Sequence, residues 1–82
     1  FMKSEGYIRL KADAEASSRD VYAVYKLWCE DNVLHPLSAR SLSAYLNENQ
    51  REYNLEPTNN LYLPGGRRVR GYFGIEVLQR VS

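Results

Sequence analysis

Apolar residues recur along this chain in two helical periods, and two strand-like arms follow them. The stripe of the first predicted helix consists of Val21, Val24, Tyr25 and Trp28. Spacings of three and four place these residues on one helix face, which favours burial over the alternative of an aromatic stripe that stacks bases. Ser17 and Ser18 precede the pattern, and a serine hydroxyl accepts hydrogen bonds from the free N–H groups of a first turn. We therefore expect a capped helix that ends near Asn32, a residue that tolerates left-handed backbone.

A second helix is predicted over residues 38–49. Ser38 is its expected cap, and its apolar face consists of Leu42, Tyr45 and Leu46, with Leu37 just outside. The opposite face carries side chains at i, i+3, i+4 and i+7: Arg40, Ser43, Ala44 and Asn47, with Arg51 one turn further on. Small residues allow close approach to a groove, and arginine and asparagine bind phosphates or base edges. The alternative is an ordinary solvated helix face.

The segment over residues 61–78 predicts a β-hairpin around Pro64, Gly65 and Gly66. A period of two places one apolar set on the face that would pack on the helices: Val69, Phe73, Ile75 and Val77. The same period places Arg68, Arg70 and Tyr72 on the other face. Residues 50–60 are polar and contain Pro57, so we expect a long connection into the hairpin.

Positive charge is concentrated in the hairpin. The net charge of the 82 residues is only +1, yet residues 64–82 carry four arginines against Glu76 alone. A clustered basic feature on a neutral domain indicates contact with a polyanion. The alternative, which explains the arginines equally well, is that their charge protects a solvated edge strand from aggregation.

Composition indicates one small soluble domain with a single core. Residues 1–16 are expected to be an arm or connector from a larger parent protein, in which Tyr7, Ile8 and Leu10 form a short strand or an extended arm, and residues 17–82 the domain. Without a signal segment or a membrane span, the expected compartment is the cytoplasm. Cys29 is expected to be a buried thiol, and His35 to be a polar loop residue without a metal.

Catalysis within this segment is not expected. Gly65-Gly66-Arg67-Arg68 lacks the lysine and hydroxyl pair that binds nucleotide phosphate and magnesium. A carboxylate pair at metal-binding spacing and a Ser/His/Asp set are also missing. We therefore predict no catalytic residues, no cofactor, no metal and no small-molecule substrate.

Three segments together resemble the C-terminal domain of phage- and plasmid-type DNA primase-helicases, the superfamily 3 group related to the poxvirus primase-helicase. The first is a Tyr-x-x-Tyr-x-x-Trp-Cys helix, formed here by Tyr22, Tyr25, Trp28 and Cys29. The second is a Pro-Leu-Ser-x-Arg helix start, formed by Pro36, Leu37, Ser38 and Arg40. The third is an Arg-Gly-x-x-Gly-Ile strand, formed by Arg70, Gly71, Gly74 and Ile75. The connection at residues 50–60 is longer than in that family.

The order of helix, short extended link, helix and basic hairpin is that expected of an α+β winged helix-turn-helix domain with a small helical core and a C-terminal β-hairpin wing, and the resemblance implies the same fold. It implies DNA binding that positions origin or forked DNA during the replication of a phage, plasmid or other mobile element. The ATP-dependent helicase-primase activity would lie elsewhere in the parent. The expected DNA-binding residues are Arg40, Ser43, Asn47, Arg51, Arg67, Arg68 and Arg70. The alternative is a protein-interaction domain that docks on the helicase ATPase ring or a partner initiator.

Overall fold

The chain folds as two helices and a three-stranded antiparallel sheet. The structure is a computed structural model, and it describes residues 6–62 and 65–78. Its elements are, in order, β1 Ile8–Ser17, α1 Ser18–Asp31, α2 Ala39–Glu48, β2 Glu56–Tyr62 and β3 Arg68–Val77. The strands lie in the order β1-β3-β2, so β3 is central and pairs antiparallel with both neighbours. The predicted α+β class is confirmed; residues 1–5 of the predicted arm and Pro64 of the predicted turn lie outside the described residues.

Both predicted helix caps are confirmed. The Ser17 hydroxyl accepts a hydrogen bond from the Asp20 N–H at 3.1 Å, and α1 begins at the next residue. The Ser38 hydroxyl accepts from the Ser41 N–H at 3.2 Å, and α2 begins at Ala39. Each cap satisfies one of the backbone donors that a helix start leaves free.

The end of α1 differs from the prediction. Asn32 is its C-cap, as its position suggested, but it has a φ of −103° rather than left-handed backbone. Its side-chain amide instead donates to the Trp28 carbonyl at 2.8 Å. The left-handed residue is Val33, with a φ of 55°, and Leu34 N–H closes the turn on the Cys29 carbonyl at 2.8 Å. This is a Schellman-type termination with valine at the position that usually carries glycine.

Residues 8–16, which the sequence pattern assigns to an arm or connector, form most of β1. Ile8 pairs with Val77 and Ser17 pairs with Gly71, so the strand runs along one edge of β3. Most of its side chains are exposed, and only Ile8 and Ser17 are buried. An edge strand with so little burial has an apolar alternation too brief to distinguish a strand from an extended arm.

The predicted connection over residues 50–60 is also partly strand. β2 begins at Glu56, and Pro57 lies opposite Tyr72 of β3. Proline is tolerated there because β2 pairs with β3 alone in the described sheet and forms its other edge. The pairing register shifts between Thr58 and Leu61, so Asn59 and Asn60 form an irregularity within the strand.

The apolar face predicted for β3 is wrong in its first half. Tyr72 and Ile75 are both in the core, at 4% and 0% exposure, whereas Phe73 is 38% exposed. Gly74 has a φ of 98°, and this left-handed residue interrupts the strand alternation. Arg68, Arg70 and Tyr72 therefore share the face that the helices cover, while Val69, Gly71 and Phe73 lie on the other.

The core joins both helices to that face of the sheet. It contains, from the two helices, Val21, Val24, Tyr25, Cys29, Leu42 and Leu46. Ile8, Leu55, Tyr72 and Ile75 complete it. Cys29 is buried and free, as predicted, and His35 is exposed in the link between the helices.

Candidate nucleic-acid interface

Three of the residues predicted to bind DNA line one polar cleft. Ser43 and Asn47 enter it from α2, and Arg70 enters it from β3. The cleft has a volume of about 240 Å³. Its remaining lining residues are Ser18, Pro57, Thr58, Asn59, Gly71 and Tyr72. Hydroxyl, amide and guanidinium groups thus converge from both helices and from both strands of the hairpin.

Arg70 lies on the cleft side of β3 because the alternation of the strand faces shifts at Gly74. Arg70 lies two residues from the buried Tyr72, so both project toward the helices. Beyond Tyr72 the helical cover ends, and Arg70 is exposed. The face assigned from sequence alone would have pointed Arg70 away from the core and hence away from α2.

Two tyrosines of α1 fix the start of α2. The Tyr25 hydroxyl accepts a hydrogen bond from the Leu37 N–H at 2.8 Å, and the Tyr22 hydroxyl donates to the Leu37 carbonyl at 2.9 Å. Both backbone groups of the residue before the Ser38 cap are therefore held by α1. The Leu37 side chain is 49% exposed, so this residue contributes through its backbone more than through burial.

The cleft is electrostatically simple. Arg70 is the one charged residue among its nine lining residues, and no carboxylate is among them. In the part of the chain that the structure describes, the salt bridges join Arg9 to Glu76 and Lys11 to Asp13. The guanidinium of Arg70 is thus not neutralised by a carboxylate of the described residues, which suits it to an external anion.

The other predicted residues are not among those that line the cleft. Arg40 is exposed in the first turn of α2, and Arg51 is exposed in the turn after that helix. Arg67 is exposed in the turn between β2 and β3. Arg68 is exposed at the start of β3, where its guanidinium donates to the Asn60 side-chain oxygen at 3.5 Å. These four arginines do not line the cleft.

Sequence reasoning misses the contribution of Ser18, Thr58 and Asn59. From the sequence Ser18 is only a helix cap, whereas it lines the cleft from the first turn of α1. Thr58 and Asn59 fall in the predicted connection, whereas they belong to β2. The irregular stretch after Thr58 offers no periodic signal from which their position could be found.

The described ranges offer neither a metal centre nor a membrane-spanning helix. Among residues 6–62 and 65–78, no group of three histidine, cysteine, aspartate or glutamate side chains could hold a metal ion. Neither described helix is long and apolar enough to cross a membrane. The chain matches no family model, no curated protein and no solved structure with which it was compared. What can be stated of its class is a small α+β domain with a polar cleft between its helices and its hairpin.

Proposed function

We propose that the domain is a winged helix-turn-helix module that binds DNA, with α2 as the recognition helix and the β2–β3 hairpin as the wing. The observation that carries the proposal is the convergence of Ser43, Asn47 and Arg70 on one cleft that contains no carboxylate. Helix and hairpin would then contact one DNA molecule together, which is how winged helices dock.

The order of elements supports this fold assignment. Two helices joined by residues 32–38 lie between β1 and the hairpin, and the sheet has the order β1-β3-β2. A helix-turn-helix places its second helix in the major groove. The exposed positions of α2 that would enter the groove include Arg40, Ala44 and Asn47, on the side opposite the buried Leu42 and Leu46.

The chemistry of the cleft is suited to a backbone phosphate. Serine and threonine hydroxyls, asparagine amides and arginine are the groups that most often contact phosphate oxygens, and they position a protein without reading sequence. Arg67 and Arg68 in the wing, with Arg40 and Arg51 at the two ends of α2, would add further phosphate contacts. Affinity would then be largely independent of the DNA sequence. It would fall as the salt concentration rises, because the release of counterions from DNA becomes less favourable.

The parent protein that we infer is a phage- or plasmid-type primase-helicase, in which this module would hold origin or forked DNA in the cytoplasm. That inference rests on the motifs around Trp28, Ser38 and Gly71, which resemble that family. The ATPase and primase activities would belong to other parts of the parent. The module itself would bind and position DNA without a cofactor.

Fluorescence anisotropy with labelled duplex and forked DNA, over a series of salt concentrations, tests the proposal. Arg70→Gln should weaken binding to all sequences and lower the slope of log K against log salt by about 0.9, the value for one lost phosphate contact. The matched control is Arg9→Gln, which removes one exposed arginine from β1 outside the cleft.

Equal losses in Arg70→Gln and Arg9→Gln would mean that net charge, rather than the cleft, governs binding. Absence of a DNA complex at low salt, together with salt-insensitive binding to the parent ATPase domain, would favour the protein-interaction alternative instead. The double variant Arg67→Gln/Arg68→Gln measures the wing separately. Unchanged affinity in that variant would remove the hairpin tip from the interface.

A further inference from the structure

A second concave surface is lined by Phe73 of β3, by residues of β1 and by the turn that precedes β2. We call it the Phe73 notch, and its volume is about 300 Å³. Leu10, Ala12 and Phe73 supply apolar lining, and Glu52 and Glu56 supply carboxylates. None of the residues that line the notch lines the Arg70 cleft, so the two are separate surfaces.

An irregularity in β1 opens this notch. β1 advances from Leu10 to Glu15 while its partner β3 moves only from Ile75 to Phe73, so residues 11–14 are not paired in register. Leu10 and Phe73 are left 41% and 38% exposed. Leu10 and Phe73 thus offer apolar contact area within one concave surface.

Glutamates occupy the positions that pair with Phe73 on both neighbouring strands. Glu15 of β1 and Glu56 of β2 lie directly opposite Phe73 on its two sides, and Glu52 lies in the turn that precedes β2. None of these three glutamates forms a salt bridge within residues 6–62 and 65–78. Lys11, the basic residue of the notch, lies 3.7 Å from Asp13 and is partly neutralised.

We propose that the Phe73 notch docks a basic protein segment that inserts one apolar side chain beside Leu10 and Phe73. Flanking lysines or arginines of that segment would pair with Glu52, Glu56 and Glu15. The apolar lining provides the contact area, and the carboxylates select a cationic partner and disfavour nucleic acid, whose phosphates they repel. The site stands independently of DNA binding at α2 and the wing.

Selection from a random peptide library displayed on phage tests this proposal, with the Phe73→Thr variant used for counter-selection. Threonine keeps the strand propensity of the position while it removes the aromatic ring. Circular dichroism and thermal unfolding of the variant establish that it folds. The enriched peptides should carry lysine or arginine on both sides of a leucine, methionine or aromatic residue.

Titration of the enriched synthetic peptides then measures the contribution of the carboxylates. Glu52→Gln/Glu56→Gln should weaken peptide binding about fivefold, as two exposed ion pairs would predict, and should reduce its salt dependence. The control Glu48→Gln, which removes an exposed carboxylate of α2 outside the notch, should leave affinity unchanged.

Three results would overturn the proposal. One is enrichment of neutral or acidic peptides, or of none. Another is equal affinity for the double glutamine variant and the unchanged chain. The last is a dimer of this chain, detected by sedimentation, that dissociates in the Phe73→Thr variant, since the notch would then be covered by a second copy.

Discussion

The Tyr25 hydroxyl oxygen lies 2.8 Å from the Leu37 backbone nitrogen, so the first helix holds the residue that precedes the Ser38 cap of the second. Tyr25 is buried in the core, and its pKa is raised mainly because burial disfavours the phenolate. The hydroxyl is therefore a neutral acceptor at ordinary pH. A core side chain thus links packing to the position of the predicted DNA-contacting helix.

Replacing Tyr25 with phenylalanine should lower the free energy of unfolding by about 1 kcal/mol, because the Leu37 N–H loses its acceptor. We expect DNA affinity to fall as well, since α2 is less firmly positioned. Urea unfolding and anisotropy measure the two effects. Tyr22→Phe is the control: its bond to the Leu37 carbonyl is solvent-exposed and should cost less. Equal losses of stability would argue against the part-buried bond to Tyr25 as the main constraint.

Gly71 allows β3 to pass close to both neighbouring strands. A β carbon at this position would collide with the Ala16 carbonyl oxygen and the Leu61 side chain, and would lie 2.9 Å from the Ser17 Cα. Gly71→Ala should therefore destabilise the domain by about 2 kcal/mol or more, because two of these contacts are with backbone that cannot rotate away.

Gly66→Ala is the matched control for that measurement. Gly66 has a φ of 82°, but a β carbon added there would meet nothing within 4 Å, so only backbone strain opposes the alanine. Its urea midpoint should fall by less than that of Gly71→Ala. Similar midpoints in the two variants would contradict the close approach of the strands at Gly71.

Replacing Val33 should stabilise the domain. It adopts a φ of 55° and is 92% exposed, so its side chain adds strain without contributing burial. Val33→Gly should raise the free energy of unfolding by about 1 kcal/mol, the approximate cost of left-handed backbone in a residue with a β carbon. Val33→Ala retains that carbon and should change stability little. A destabilised glycine variant would indicate that Val33 has a contact role.

The hydrogen bond between Tyr45 and Tyr53 should make the domain less stable at alkaline pH. Their hydroxyl oxygens are 3.2 Å apart, and this hydrogen bond is the main cause that raises the pKa of Tyr53 from 10.0 to about 12. A raised folded-state pKa gives stability that is complete below the unfolded value of 10.0 and is lost as pH rises through about 12.

Tyr45→Phe should return the pKa of Tyr53 toward its ordinary value and flatten the loss of stability over that interval. Ultraviolet absorbance of tyrosinate follows the titration, and unfolding at several pH values follows the stability. Tyr62→Phe, at a residue that is 70% exposed, serves as the control and should leave the Tyr53 titration as it was. An unshifted curve in Tyr45→Phe would show that the shared hydrogen bond is not the cause.

Local signals in the sequence are sufficient for the helices. Ser17 and Ser38 cap them where serine precedes an apolar period, because capping depends on a few adjacent residues. The helical period places Tyr45 on the buried face, but this residue is 42% exposed and is held at its hydroxyl by Tyr53. That partner comes from the turn after α2, which the period of one helix cannot specify.

The strands depend on information that a period of two does not contain. β1 is an edge strand whose pairing with β3 comes from backbone hydrogen bonds, and its polar side chains give no pattern. The alternation of buried and exposed side chains in β3 shifts at Gly74. The adjacent residues in the sequence do not predict that Gly74 has a φ of 98°. Seven candidate site residues could therefore be named from the sequence, but not the cleft that Ser43, Asn47 and Arg70 share.

Gly74 also limits how the hairpin could be redesigned, because it divides β3 into two parts. Its left-handed backbone shifts the alternation of side chains by one position, so the residues before it and after it follow different face assignments. A hairpin grafted from another protein would have to join on the N-terminal side of Gly74 and preserve the alternation of the two faces. Insertion or loss of one residue between Arg70 and Gly74 would exchange the two faces and move the arginine to the side occupied by Phe73.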